Sequence, residues 1–149
     1  MTIGTLSMTT TKQTLSLSLS LALCGLAATA VLAADWAEIA TDADGNRYSI
    51  DRQSIVREGA TVKGLVRAEY AAPRVDQASG KSFFAALDRM IVDCDAASFA
   101  LQSRTYVAAD GTEVPALAST REDLKLRPAA AGSLSETIVR NLCRAARGR

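Results

Sequence analysis

The sequence predicts an α+β domain: an antiparallel sheet of about five or six strands with one C-terminal helix packed on it. Three observations predict it. Apolar and polar residues alternate with period two from Thr61 to Tyr70. The pairs Asp44-Gly45 and Asp110-Gly111 mark tight turns between strand-like segments. After Ser133 the period becomes helical, with Leu134, Ile138, Leu142 and Ala145 on one face.

The chain of 149 residues suits one domain. Residues 1–34 read as a cleaved secretory signal peptide. Lys12 is the only charge ahead of Asp35, and an apolar Leu/Ser/Ala stretch follows it, ending in small residues. The cut is expected after Ala33 or Ala34, and Met8 offers a second start site with a tighter basic leader. An uncleaved membrane anchor is the alternative, since roughly 20 apolar residues can span a bilayer. Leu23 ahead of Cys24 lacks the small residue that a lipidated cysteine needs. Cleavage leaves a single domain over 35–149, with no stable membrane span.

Within that domain, Trp36–Thr41 is the first strand and "DADGN" its hairpin turn. "RYSID" places Tyr48 and Ile50 on one face, and Arg57-Glu58-Gly59 forms the second turn. In the strand Thr61–Tyr70, Val62, Gly64, Val66, Ala68 and Tyr70 face one way, opposite Lys63, Arg67 and Glu69. Residues 71–82, with Pro, Gly and Ser, read as a loop. A strand follows from about Phe84 to Cys94, with Met90, Val92 and Cys94 inward. The next runs from about Phe99 to Val107, where alternation puts Phe99, Leu101, Ser103, Thr105 and Val107 on one side. Val114 opens a last short strand, and 118–132 is an irregular connector. Ser133 and Glu136 fit a capping box for a helix from Leu134 that frays after Ala146.

Composition excludes several function classes. The 17 basic and 16 acidic side chains balance once Lys12 leaves with the leader, so nucleic-acid binding lacks its basic excess. The chain has no histidine. Histidine general-base chemistry and histidine metal ligation are therefore absent. Once Cys24 is gone the cysteines are Cys94 and Cys143, and in an exported protein they are expected to form a disulfide; two separate buried thiols are the alternative. That bridge would staple the helix to the sheet.

Asp42, Asp44 and Asn46 alternate as the first oxygens of a calcium loop do. The loop's glycine position holds Arg47 and its final glutamate position holds Gln53, so a hairpin turn is the better reading. No cofactor motif or phosphate-binding glycine loop is present. Asp93 and Asp95 are the nearest to a paired-carboxylate site, without an accompanying aromatic cluster. Lys81-Ser82 is the nearest to a Ser–Lys pair. Arg140, Arg144 and Arg147 line one helix face. They counter the helix dipole, and they also form a candidate anion- or partner-binding stripe.

Trp36, Tyr48, Ile50, Asp51, Ser54, Ile55, Arg57 and Gly59 follow the order and spacing of a known pattern. Cys94, the Tyr106…Gly111…Val114 hairpin and the helical Cys143 continue it. In these features the chain resembles the bacterial surface-adhesin protein E-like family over most of 35–143. It departs at Gly64-Leu65, where an aromatic is common, at Leu124 or Leu126 in place of a tryptophan ahead of Pro128, and in the alanine run 129–131. The resemblance implies a non-enzymatic, exported binding domain at the periplasm or cell surface of a Gram-negative bacterium. Its implied partner is a protein, such as a host extracellular-matrix component; an anionic envelope ligand is what the Arg140, Arg144 and Arg147 stripe would take. A periplasmic structural or partner-binding role is the first alternative and a small carboxylate-dependent hydrolase the second. A homodimer through an exposed sheet edge or face is a further expectation.

Overall fold

The computed structural model describes residues 33–120 and 124–148. Residues 1–32, with Lys12 and Cys24, and the terminal Arg149 lie outside the described residues. The order of elements is β1 (Trp36–Thr41), β2 (Arg47–Glu58), β3 (Thr61–Val75), β4 (Ser82–Asp93), β5 (Ser98–Val107), β6 (Glu113–Ala118), β7 (Arg127–Pro128) and α1 (Leu134–Arg147). Strands β1 to β6 form an antiparallel meander in sequence order, and the two-residue β7 pairs with the start of β5.

The alternation read from β3 holds. Val62, Gly64, Val66 and Ala68 are buried on the face that meets the helix. Ile50, Met90 and Val92 join them from β2 and β4, and Ile138, Val139, Leu142 and Cys143 close the core from α1. Leu142 is wholly buried. A Cβ on Gly64 would stand 2.7 Å from Leu142 Cδ2. The position where an aromatic was expected is therefore empty of side chain because the helix fills it. Burying the Ile138 and Leu142 side chains contributes roughly 1.5–3 kcal/mol each. The disulfide is formed between Cys94, one residue past β4, and Cys143 on α1.

The cap of α1 matches its sequence signal. Ser133 Oγ accepts from the Glu136 amide at 3.2 Å, and Glu136 Oε2 accepts from the Gly132 amide at 2.8 Å. Its apolar stripe sits differently. Val139 and Cys143 flank Ile138 and Leu142 in the core, whereas Leu134, expected inward, is 37% exposed. The first turn overhangs the sheet instead of pressing on it.

Three irregularities change the strand assignments. β2 runs past Asp51 to Glu58 through a register shift between Asp51 and Val56. Ser54 holds that shift: its hydroxyl donates to the Asp51 carbonyl at 2.7 Å and accepts from the Leu65 amide at 2.8 Å. Asp51 Oδ1 accepts from the amides of Asp35 and Gln53. Ile55 is thereby turned into the core. The loop expected at 71–82 is confined to 76–81, because β3 continues to Val75 and β4 begins at Ser82. A shift between Glu69 and Arg74 lets pairing resume at Arg74↔Phe83 and Val75↔Ser82. Pro73, which cannot donate to a ladder, sits inside that irregularity.

The third irregularity alters which side chains face the helix. β4 and β5 pair Met90 with Leu101 but Arg89 with Ser103, leaving Gln102 as an extra residue. The parity of β5 flips there. Phe99 and Leu101 face the helix side as expected, but beyond the bulge Arg104 and Tyr106 do so, opposite Asp88 and Ala86. Ser103 and Thr105 turn to the other face. Unbroken alternation predicted the reverse.

Candidate functional site

The β1–β2 turn is a hairpin, as its residues required. Asp42 organises it: Oδ1 accepts from the amides of Asp44 and Asn46, and Oδ2 from Asn46 Nδ2 at 2.8 Å and Tyr48 Oη at 2.9 Å. These donors, the Asn46 side chain first, hold the Asp42 carboxyl below its ordinary range. Asn46 is buried, and its Oδ1 accepts from the Ala71 amide, tying the turn to β3. Burial first and the Asp42 hydrogen bond second push the Tyr48 phenol up to about 12. Among the described residues no group of three or more His, Cys, Asp or Glu is placed to hold a metal.

Asp93 is occupied by a turn as well. Its Oδ1 accepts from the amides of Asp95 and Ala96, each at 2.9 Å, and Asp95 is exposed. Asp93 caps the β4–β5 hairpin, and neither acid lines the clefts described below.

Arg140, Arg144 and Arg147 are all exposed on α1. No carboxylate among the described residues pairs with any of them. Arg140 and Arg147 also line a shallow hollow beside the disulfide with Glu136, whose carboxylate is spent on the Gly132 amide.

The most developed concavity lies on the open half of the sheet's helix side. It is a cleft of about 460 Å³. Tyr48, Val66, Tyr70, Met90 and Leu101 form its floor, and Leu134, Ser135 and Ile138 border it from the overhanging first turn of α1. The bulge at Gln102 delivers Arg104 into it. Arg104 Nη2 and Nε donate to the two Asp88 oxygens at 2.6 and 2.7 Å, a bidentate pair inside a half-buried site. The Asp88 hydrogen bonds raise the Arg104 pKa, so the guanidinium is charged throughout. Arg74 and Arg127 complete the lining. Beyond them an aromatic group, Tyr70, Phe83 and Tyr106, packs by edge and stack, with Phe83 and Tyr106 at 3.9 Å.

Sequence reasoning missed Arg74, Asp88, Arg104 and Arg127. Arg74 was placed in a loop and Arg127 in a connector, and Arg104 was assigned to the wrong face. Asp88 carried one usable signal: an acid at an inward position of a strand whose other inward residues are apolar needs a buried cation.

A disulfide-stapled α+β meander, with one helix laid across half of its sheet and an open cleft over the other half, defines the class. The surface-adhesin protein E profile matches residues 36–144, and the chain belongs to that family. A search of curated proteins and a search of solved structures return no match. Among the described residues no helix is long and apolar enough to cross a membrane.

Proposed function

We propose that the chain is an exported, non-enzymatic binding domain of the bacterial envelope, acting on a protein ligand through the Arg140–Arg144–Arg147 face. The observation that carries this reading is the family match over 36–144. A disulfide and an apolar leader with small residues before Asp35 support export. The mature domain is then 35–149, in the periplasm or at the cell surface. The helix face presents three exposed guanidiniums at i, i+4 and i+7, so an acidic patch on a partner can meet all of them together.

Cell fractionation with mass measurement of the mature chain tests export; a product retaining residues 1–34 in the cytoplasm sinks it. Binding to an immobilised extracellular-matrix protein coat tests the ligand. Arg140→Gln, Arg144→Gln and Arg147→Gln together should weaken binding and its salt dependence while lowering the unfolding free energy by no more than about 1–2 kcal/mol, the loss of cations at the helix C-terminus. Recovery from the periplasm alone removes host contact and leaves a periplasmic partner for the same face.

A further inference from the structure

The cleft holds more positive charge than its own residues neutralise. Asp88 is the only acid among its lining residues, and both of its oxygens are taken by Arg104. Arg74 and Arg127 line the same cleft, and no carboxylate among the described residues pairs with either. Each guanidinium lies over a ring instead: Arg74 over Tyr70 at 4.2 Å and Arg127 over Phe99 at 5.7 Å. Stacking orients the planar group yet leaves its N–H edges for a planar acceptor such as a carboxylate. The two arginines reach this place only through the fold, one past the β3 bulge and the other on β7.

The remaining wall is mostly apolar or aromatic. A volume of about 460 Å³ lies in the range of small-ligand pockets. Polymeric anions need a long basic track, which a charge-balanced chain with two local cations does not offer. We propose that this cleft is a separate binding site for a small organic anion with an apolar body, its carboxylate directed to the Arg74 or the Arg127 guanidinium. The site shares no residue with the Arg140–Arg144–Arg147 face, so it stands or falls independently of the proposed protein-ligand role.

Titration calorimetry of the purified protein with phthalate tests it, with dimethyl phthalate as the neutral isostere. Phthalate should saturate one site and weaken with salt. The variant Arg74→Gln with Arg127→Gln, both exposed positions, should bind at least about tenfold more weakly, the loss of a bidentate charged contact. The Arg140, Arg144 and Arg147 glutamine variant should bind phthalate as wild type does. Absence of saturation, equal binding of dimethyl phthalate, an unchanged Arg74/Arg127 variant, or tighter binding of a decaglutamate peptide than of phthalate would each overturn the proposal.

Discussion

At one end of the sheet's helix side, Ile50, Val62, Val66 and Val92 lie beneath Ile138 and Leu142, and the Cys94–Cys143 bridge pins the cover down. At the other end the same strands carry Tyr48, Tyr70, Asp88 and Arg104, and nothing described lies over them but the overhanging first turn of α1. The backbone is continuous between the two ends; the side chains alone decide which becomes core and which becomes surface. Apolar side chains gain by losing water, so they draw the helix in. A guanidinium and a carboxylate lose hydration when covered, so they favour an opening that keeps them partly wet. The covered end is therefore expected to govern stability and the open end the binding of a small anion.

The sharpest way to break that division is the disulfide. Replacing Cys94 and Cys143 together by Ser opens a loop with a sequence separation of 49, which should cost about 4 kcal/mol on the chain-entropy account. Urea unfolding of the variant should show the loss, and a midpoint equal to wild type would mean the helix is held by packing alone. Leu142→Ala comes next. It empties the space that Gly64 leaves for it and should cost about 3 kcal/mol in the same experiment. Both changes should leave phthalate affinity of the folded fraction intact.

Asp88→Ala acts at the open end and should cost less, about 1–2 kcal/mol, because solvent still reaches Arg104 once its partner is gone. The same change should strengthen phthalate binding by freeing a third cation. The smallest effect is a pH dependence. The Tyr48 phenol rises from 10.0 to about 12 on folding, so the fold favours its neutral form. That contribution is complete below pH 10.0, declines between 10.0 and about 12, and is gone above. Melting temperatures across this window should fall less steeply for Tyr48→Phe than for wild type. Tyr70, also raised by burial, keeps the slope from vanishing.

The covered end was legible in the sequence and the open end was not, for a physical reason. Alternation in β3 and the helical period after Ser133 are local patterns set by burial, and each names its own inward face. The residues that carry the family resemblance are of the same kind. Ser54 and Asp51 hold an irregularity in β2, Ile55 fills the core, and Arg57 Nε donates to the Gly59 carbonyl to close a turn. Those residues say how the scaffold is made and leave its ligand unnamed. The cleft depends on three features that alternation does not register: the shift at Glu69–Arg74, the extra Gln102, and the pairing of β7 with β5. One residue of slip at Gln102 exchanges Ser103 and Thr105 for Arg104 and Tyr106. No window shorter than the β4–β5 pairing contains that information.

The bridge between Cys94 and Cys143 also sets the route that mechanical tension takes along the polypeptide. A pull transmitted from the C-terminal side enters β4 directly through sulfur and bypasses β5, β6 and β7, the intervening segment. That shielded segment holds Phe99, Arg104 and Arg127, half of the cleft's ring and charge chemistry. Strain on the outer chain would peel β1 from its neighbour while the shielded portion kept its shape.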